Sequence, residues 1–446
     1  MYLEKAPEYR ELANELGADA LARAVQTLGR DQQAGDYPHW DKLRRLPPPE
    51  GLTTQEWWLA IKVIRTSEMR ILPLCDSDEK PFSYGLPDLV LERLHRIDQR
   101  CSGEVAMDEV VTSEQQAGQR FLVNSLMEEA IRSSQLEGAT TSRRVAKEML
   151  RTGRRPKNRS ERMIANNYRA LQFMREEMGD VLTPDRILEL HKIVTDGTLD
   201  DPSAAGRLQR PDEERVAVFD RDDGPPVHIP PPAEQLPDRL RLLCAFANEE
   251  MSEARFIHPV VRAILLHFWL AYDHPFEDGN GRTSRILFFW LLRKQGYWLV
   301  EYLPISKFIR KAPAQYGRAF LETETDSRDT TYFILHQLKI IEKAIDDLHL
   351  YLKRKIAEVR DVELMLQGSD DLNHRQLALL TDAVRHPDGS YSFKSHSTSH
   401  RVTHETARLD LTQLVDLGLL VRKRRGRQHW FEPVADLPRR LKESSA

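Results

Sequence analysis

Cysteine is scarce in this chain of 446 residues. Cys75, Cys101 and Cys244 are odd in number, widely spaced and in no metal-ligand pattern. That excludes a disulfide framework and a cysteine-based zinc site, and fits buried thiols in a reducing compartment. Long apolar runs are lacking too: Val260 to Tyr272 is too short to span a bilayer and is broken by Arg262 and His267. The N-terminus, Met1-Tyr2-Leu3-Glu4-Lys5-Ala6, lacks the basic-then-apolar layout of a signal peptide, so a cytoplasmic protein without a membrane partner is expected. Neither sign of charge dominates. A formal net charge of -4 excludes wholesale coating by nucleic acid but leaves room for a local basic patch. The chain is 30% charged and 40% hydrophobic, which describes a globular protein rather than a disordered one. Its length suggests about three domains, each able to bury a core.

What the chain does have is one polar loop between two apolar helical patterns, Val260 to Tyr272 and Ile286 to Leu292. The loop reads Asp273-His274-Pro275-Phe276-Glu277-Asp278-Gly279-Asn280-Gly281-Arg282-Thr283-Ser284-Arg285. Gly279, Asn280 and Gly281 can turn successive N–H groups inward at the start of the second helix and form an anion nest. Arg282 and Arg285, three apart, are expected on one helix face as a phosphate clamp. Asp278 is a hard oxygen ligand suited to Mg²⁺ beside those phosphates. His274 is the one side chain of the loop able to accept a proton near neutral pH. The loop therefore reads as a nucleotide-phosphate site with its own general base.

The same residues resemble the motif of the Fic family, H-P-F-x-D/E-G-N-G-R-x-x-R, at every specified position. A second stretch precedes it. Phe121, Leu122, Leu126, Ala130 and Ile131 give a helix an apolar stripe, with Ser133 and Glu137 on one face near its C-terminal end. A glutamate there opposes the helix dipole unless a cation meets it. The segment, about 113–138, resembles the family's inhibitory motif S/T-x-x-x-E-G/N through Ser133, Glu137 and Gly138. The resemblance implies that Glu137 pairs with Arg285 and occupies the γ-phosphate position.

The fold class expected is mainly α. Residues 1–110 read as a helical region, with helical spacing over Ala18 to Leu28, a capped start at Thr53-Thr54-Gln55-Glu56 and an amphipathic segment from Leu86 to Ile97. Trp57 and Trp58 read as packing residues. This region resembles those ahead of bacterial Fic domains, which implies a role in dimer or partner contact. Residues 111–345 are expected to hold the Fic domain. In it Ser160 to Met178 and the segment from Thr183-Pro184 are helices, and His267 is a hydrogen-bonded core histidine. Val216, Ala217, Val218 and Phe219, a turn at Arg221 to Gly224, and Val227 to Ile229 predict a β-hairpin, similar to the family's flap for holding the target segment by strand addition. Two positions depart from the family pattern. Asp273 stands where an apolar residue is usual, either approaching His274 or facing solvent. Downstream, Tyr316 of the base-pocket motif is kept, but Ala312 and Gly317 replace asparagine and tyrosine, which leaves the nucleobase open.

A helix from Thr330 to Arg354 and a linker helix over 346–369 precede a tail of different character, 370–446. There a helix over Leu372 to Val384, one from Thr403, and strands around the turn Arg422-Lys423-Arg424-Arg425-Gly426-Arg427 resemble a winged helix. Its candidate DNA contacts are His404, Arg408, Arg422, Lys423, Arg424, Arg425 and Arg427, and a protein-contact module is the alternative.

The resemblance implies an enzyme that transfers AMP from ATP, with Mg²⁺ or Mn²⁺, to a Tyr, Thr or Ser hydroxyl of a target protein, this chain among them. His274 would be the base and Asp278 the metal ligand. Gly279, Asn280, Gly281, Arg282, Arg285 and Tyr316 would hold nucleotide, and Phe276 would anchor the loop. Doc-type relatives carry lysine where this chain has Gly281, which disfavours phosphoryl transfer. Removal of AMP by the same site and a regulator with a nucleotide-sensing domain remain open alternatives.

Overall fold

A computed structural model of the chain describes all residues except 1–2, 29–36, 102–114, 217, 220–225, 251–255, 368–371, 386–388, 426–427 and 445–446. Two compact units emerge, one built from 1–105 and 120–346, the other from 106–119 and 347–446. Helix predominates, at 65%. Strands among the described residues occur in three antiparallel pairs.

The larger unit opens with α1 (Tyr9–Leu28), kinked at Gly17, and α2 (Trp40–Leu43). Next comes α3 (Thr54–Glu68), started by the expected capping box between Thr53 and Glu56. Trp58 is fully buried against this N-terminal core, with Trp57 packed beside it. The region is not helical throughout. Strands β1 (Arg70–Cys75) and β2 (Pro81–Tyr84) pair as a hairpin. Leu72, Leu74, Phe82 and Tyr84 are buried at the two-residue spacing of a one-sided sheet, while Ile71 is exposed. Phe82 meets Phe268 and Tyr272 edge-on at 5.4 and 4.9 Å, which ties the hairpin to the core. Pro73 within the first strand masks the signal in sequence.

Helices α4 (Asp88–Cys101), α5 (Gln115–Leu136), α6 (Arg143–Thr152), α7 (Arg159–Glu176) and α8 (Pro184–Thr195) follow. Helix α8 begins as expected, with Thr183 as cap and Pro184 in the first turn. The short hairpin β3 (Val218–Phe219) and β4 (Pro226–His228) lies where it was predicted. Val216 precedes its first strand; Ala217 and the turn 221–224 lie outside the described residues. After α9 (Leu236–Ala247) come the two central helices, α10 (Pro259–Asp273) and α11 (Asn280–Lys294). Every residue of α10 except Pro259 and Ala271 is buried, so its polar members must find partners inside. His267 does: its Nε2 lies 2.9 Å from the Tyr316 hydroxyl, as a core histidine should.

Helices α12 (Ile305–Lys311) and α13 (Pro313–Thr325) lead to α14 (Thr331–Gln367). That last helix runs past the expected end at Arg354, so 346–367 continue it rather than forming a separate linker helix. The smaller unit contains α15 (His374–Arg385), α16 (Phe393–His400), α17 (His404–Asp416), β5 (Leu420–Arg425), β6 (Gln428–Pro433) and α18 (Leu437–Ser444). Helix α16 was not anticipated. Tyr391 bridges to Phe431 and adds a third strand position beside the β5–β6 pair. Asp410 of α17 is buried and accepts from Asn373, Arg375 and His396, which locks α15, α16 and α17 together. Burial opposes its charge, but those bonds hold Asp410 at about 2.

Candidate active site

The loop between α10 and α11 is shaped by its own residues. His274 ends α10 in the left-handed conformation, φ 44. Phe276 is fully buried and stacks on His191, ring centroids 3.8 Å apart at 8°. Asn280 closes the turn by accepting from the Phe276 N–H at 3.0 Å and donating to its carbonyl at 2.8 Å. The Asn280 side chain is thus spent on the loop, while its backbone N–H, the group predicted to help cradle phosphate, stays in the helix's first turn. Gly279 has φ 88, and a Cβ there would sit 2.8 Å from the Thr195 methyl, so both conformation and space require glycine.

His191 supports this loop from α8, and the sequence reading passed over it. Its Nδ1 accepts from the Gly206 N–H at 3.0 Å, which puts the proton on Nε2, where it donates to the Asp278 carbonyl at 2.8 Å. Burial holds it neutral, down to about 4. A signal was present: Ile187, Leu190, His191 and Val194 share the buried stripe of α8.

His274 has the properties of a base. Burial first, then the nearby charge of His228, lowers it to about 4, so the ring is neutral at pH 7. Its Nδ1 is buried without a hydrogen-bond partner among the described residues. Asp273 is neither solvent-facing nor turned on His274. Its carboxylate is buried against Arg239 Nε at 2.8 Å and Trp269 Nε1 at 3.0 Å. Burial outweighs these partners and pushes Asp273 up. A polar residue fits this usually apolar position because α9 supplies Arg239.

The two arginines of α11 part company. Arg282 is fully buried, donating to the Val194 carbonyl at 3.1 Å and to Asp278 Oδ2 at 3.1 Å. Arg285 reaches α5 instead, where Nε donates to Ser133 Oγ at 2.9 Å and Nη2 to the Ser133 carbonyl at 3.2 Å. Nη2 also meets Glu137 Oε1 at 2.7 Å. A single clamp was expected; the buried Val194 carbonyl and the three acceptors of Ser133 and Glu137 pull the guanidiniums to different partners. Gly138, φ 92, ends α5, and the Ala139 N–H turns back to the Ser134 carbonyl at 3.0 Å. Gly281 makes room for this contact: a Cβ there would stand 2.2 Å from Glu137 Oε1. Glu129, two turns before Glu137, is buried and bonded to the N–H and hydroxyl of Ser306, and burial raises it to about 7.

Among the described residues no three His, Cys, Asp or Glu side chains converge on a metal position. Asp278 stands as a single carboxylate, 36% exposed. That suits Mg²⁺, which commonly takes one or two protein carboxylates and completes its shell with phosphates and water. Tyr316 packs against His267, Phe320 and Phe333, and the space where a side chain would leave Gly317 is open. In the smaller unit His404, Arg408, Arg422, Lys423 and Arg424 are exposed, though Arg408 pairs with Glu405 and Lys423 with Glu432. Arg425 closes strand β5, and Arg427 lies outside the described residues. No described helix is long and apolar enough to cross a membrane.

Residues 181–292 match the model of the Fic/DOC family. This segment is similar to Fic domains. The protein adenylyltransferase Fic of Drosophila melanogaster is 38% identical over 194 residues, 44% of this chain and 34% of that protein. The protein of the same name from Drosophila mojavensis is 32% identical over 193 residues, 43% of this chain and 33% of its own. The chain thus spans about a third of the length of the curated relatives it matches. A crystal structure of a Fic family protein from Desulfovibrio desulfuricans shares the fold with TM-score 0.51 at 19% identity, covering 78% of this chain and 96% of that one. The loop within the matched residues carries His274 and the Gly279-Asn280-Gly281 turn, and the end of α5 brings the Glu137 carboxylate to its last arginine.

Proposed function

We propose that the protein is an AMP transferase, moving AMP from ATP to a Tyr, Thr or Ser hydroxyl of a protein, and that Glu137 restrains it. The observation that carries the reading is the contact of Glu137 with Arg285, made directly over Gly281 in a complete Fic loop. An arginine aimed into an anion nest and already neutralised by a carboxylate is suited to an anion that must compete for it. The target hydroxyl would attack the α-phosphorus as His274 takes its proton, and pyrophosphate would leave. The N–H groups opening α11, with Arg285 once Glu137 yields, would stabilise charge on that leaving group. Asp278 would hold Mg²⁺, whose chemistry is to neutralise phosphate charge. The names of the relatives support AMP transfer as the reaction class.

The test compares wild type, Glu137→Gly and Glu137→Gly/His274→Ala with labelled ATP and lysate. The glycine variant is expected to label proteins, itself among them, and removal of His274 to reduce labelling by about 10²–10⁴-fold. Labelling within twofold of the Glu137→Gly parent after loss of His274 would overturn the assignment of the base. Loss of an AMP-removing activity in Glu137→Gly would reverse the direction of the reaction.

The smaller unit supports a second role. Its order of helix, bridge, two helices and a two-stranded ribbon is compatible with a winged helix, in which α17 would take the recognition position and the exposed Arg422 and Arg424 would lie on the wing. We infer that it contacts DNA phosphates through that wing.

A further inference from the structure

Two basic side chains of the β3–β4 segment converge on one end of α10. The last carbonyls of a helix have no partner within it and carry the negative end of its dipole. Arg215, three residues before β3, puts Nη2 2.8 Å from the Asp273 carbonyl and 3.2 Å from that of His274. His228, in β4, has Nε2 2.7 Å from the Tyr272 carbonyl and Nδ1 3.0 Å from Glu324 Oε2 on α13. A carbonyl oxygen and a carboxylate oxygen can only accept. Both ring nitrogens must therefore donate, and histidine does so only as the imidazolium. Three successive carbonyls at the turn that carries His274 are thus held by cations from the hairpin.

We propose that His228 is a positioning residue: as an imidazolium between Glu324 and the Tyr272 carbonyl, it clasps the hairpin to the end of α10 and fixes the backbone turn of His274. The clasp matters to AMP transfer only if that reading of the site holds; its bonds do not depend on it. The charged and titratable groups that face the ring are Glu324 from α13, and Tyr272, Asp273 and His274 from α10. Burial opposes the charge, but the bond and charge of Glu324 and the Tyr272 carbonyl outweigh it, so His228 is raised. A raised histidine contributes stability in full below its ordinary value, and that contribution is lost as pH rises through the folded value. The clasp is therefore closed at neutral pH and opens on the alkaline side. The same charge helps keep His274 neutral. Activity is expected between two limits, protonation of His274 below and deprotonation of His228 above.

The experiment reads the rings and the rate separately. In protein with isotope-labelled histidine, the His228 signals are assigned by their loss in His228→Gln. At pH 7 both of its nitrogens are expected to carry protons, and Glu324→Gln to move its titration down by about 1–2 pH units. His228→Gln is expected to raise the titration of His274. In the Glu137→Gly background, AMP transfer should fall at high pH, and Glu324→Gln should move that fall down without shifting the acid limb. A merely structural Glu324 would lower the rate equally at all pH. A His228 ring neutral at pH 7 overturns the clasp whatever the enzyme does, as does an alkaline limb that Glu324→Gln leaves in place. Doubly protonated His228 with the His274 shift, but no AMP transfer, upholds the clasp and refutes the reaction instead.

Discussion

Replacing Glu137 by glycine tests the restraint directly. Arg285 is 4% exposed and Glu137 28% exposed, so one partner is buried and the other reaches water. Removing one member of a fully buried pair typically costs 3–5 kcal/mol. Here the carboxylate is partly solvated, and Arg285 keeps its two bonds to Ser133, so the loss is nearer about 1–3 kcal/mol. If ATP must displace this contact before its γ-phosphate can bind Arg285, the same free energy separates the resting and competent states. Glu137→Gly should then raise AMP transfer by roughly 5–150-fold and lower the melting temperature by a few degrees. Steady-state transfer and thermal unfolding, measured on the same samples, check both. Arg285→Ala should abolish the gain, because the arginine that glutamate releases is gone. A fall in melting temperature with no change in transfer would refute the reasoning, since the pair would then hold the fold without governing the site.

Three further outcomes follow from the same geometry. Gly281→Ala would place a methyl group where Glu137 Oε1 now lies, so the coupling between residues 137 and 285 in a double-mutant cycle should fall towards zero; an undiminished coupling would refute the packing. On acidification, His39, His191, His274 and His336 are each held at about 4 by burial, below the unfolded value near 6.5. The unfolded chain therefore binds more protons between pH 6.5 and 4, and denaturant midpoints should fall steeply across that window rather than stay flat. Replacing Arg422 and Arg424 by alanine should weaken DNA binding and reduce the salt slope by about 0.9 per lost phosphate contact; wild-type binding that ignores salt would point to a protein partner.

The sequence by itself determined the features with a local signature. Thr53 with Glu56 and Thr183 with Pro184 mark helix starts, because caps act within one turn. The central loop was legible because its glycines, carboxylate, arginines and histidine are consecutive. The meeting of Glu137 with Arg285, 148 positions apart, was foreseeable through the resemblance, and it accords with a helix-end carboxylate and a phosphate-site arginine each lacking what the other supplies. Only the tertiary structure decided which neighbours the remaining polar groups would find. It turned Arg282 onto the Val194 carbonyl, buried Asp273 against Arg239, slid His191 beneath Phe276 and set His228 between Glu324 and Tyr272. None of these pairings has a period or spacing to read. Each arises because a polar group forced into a packed interior must take whatever partner the neighbouring element brings, and that element is fixed by the fold rather than by adjacent residues.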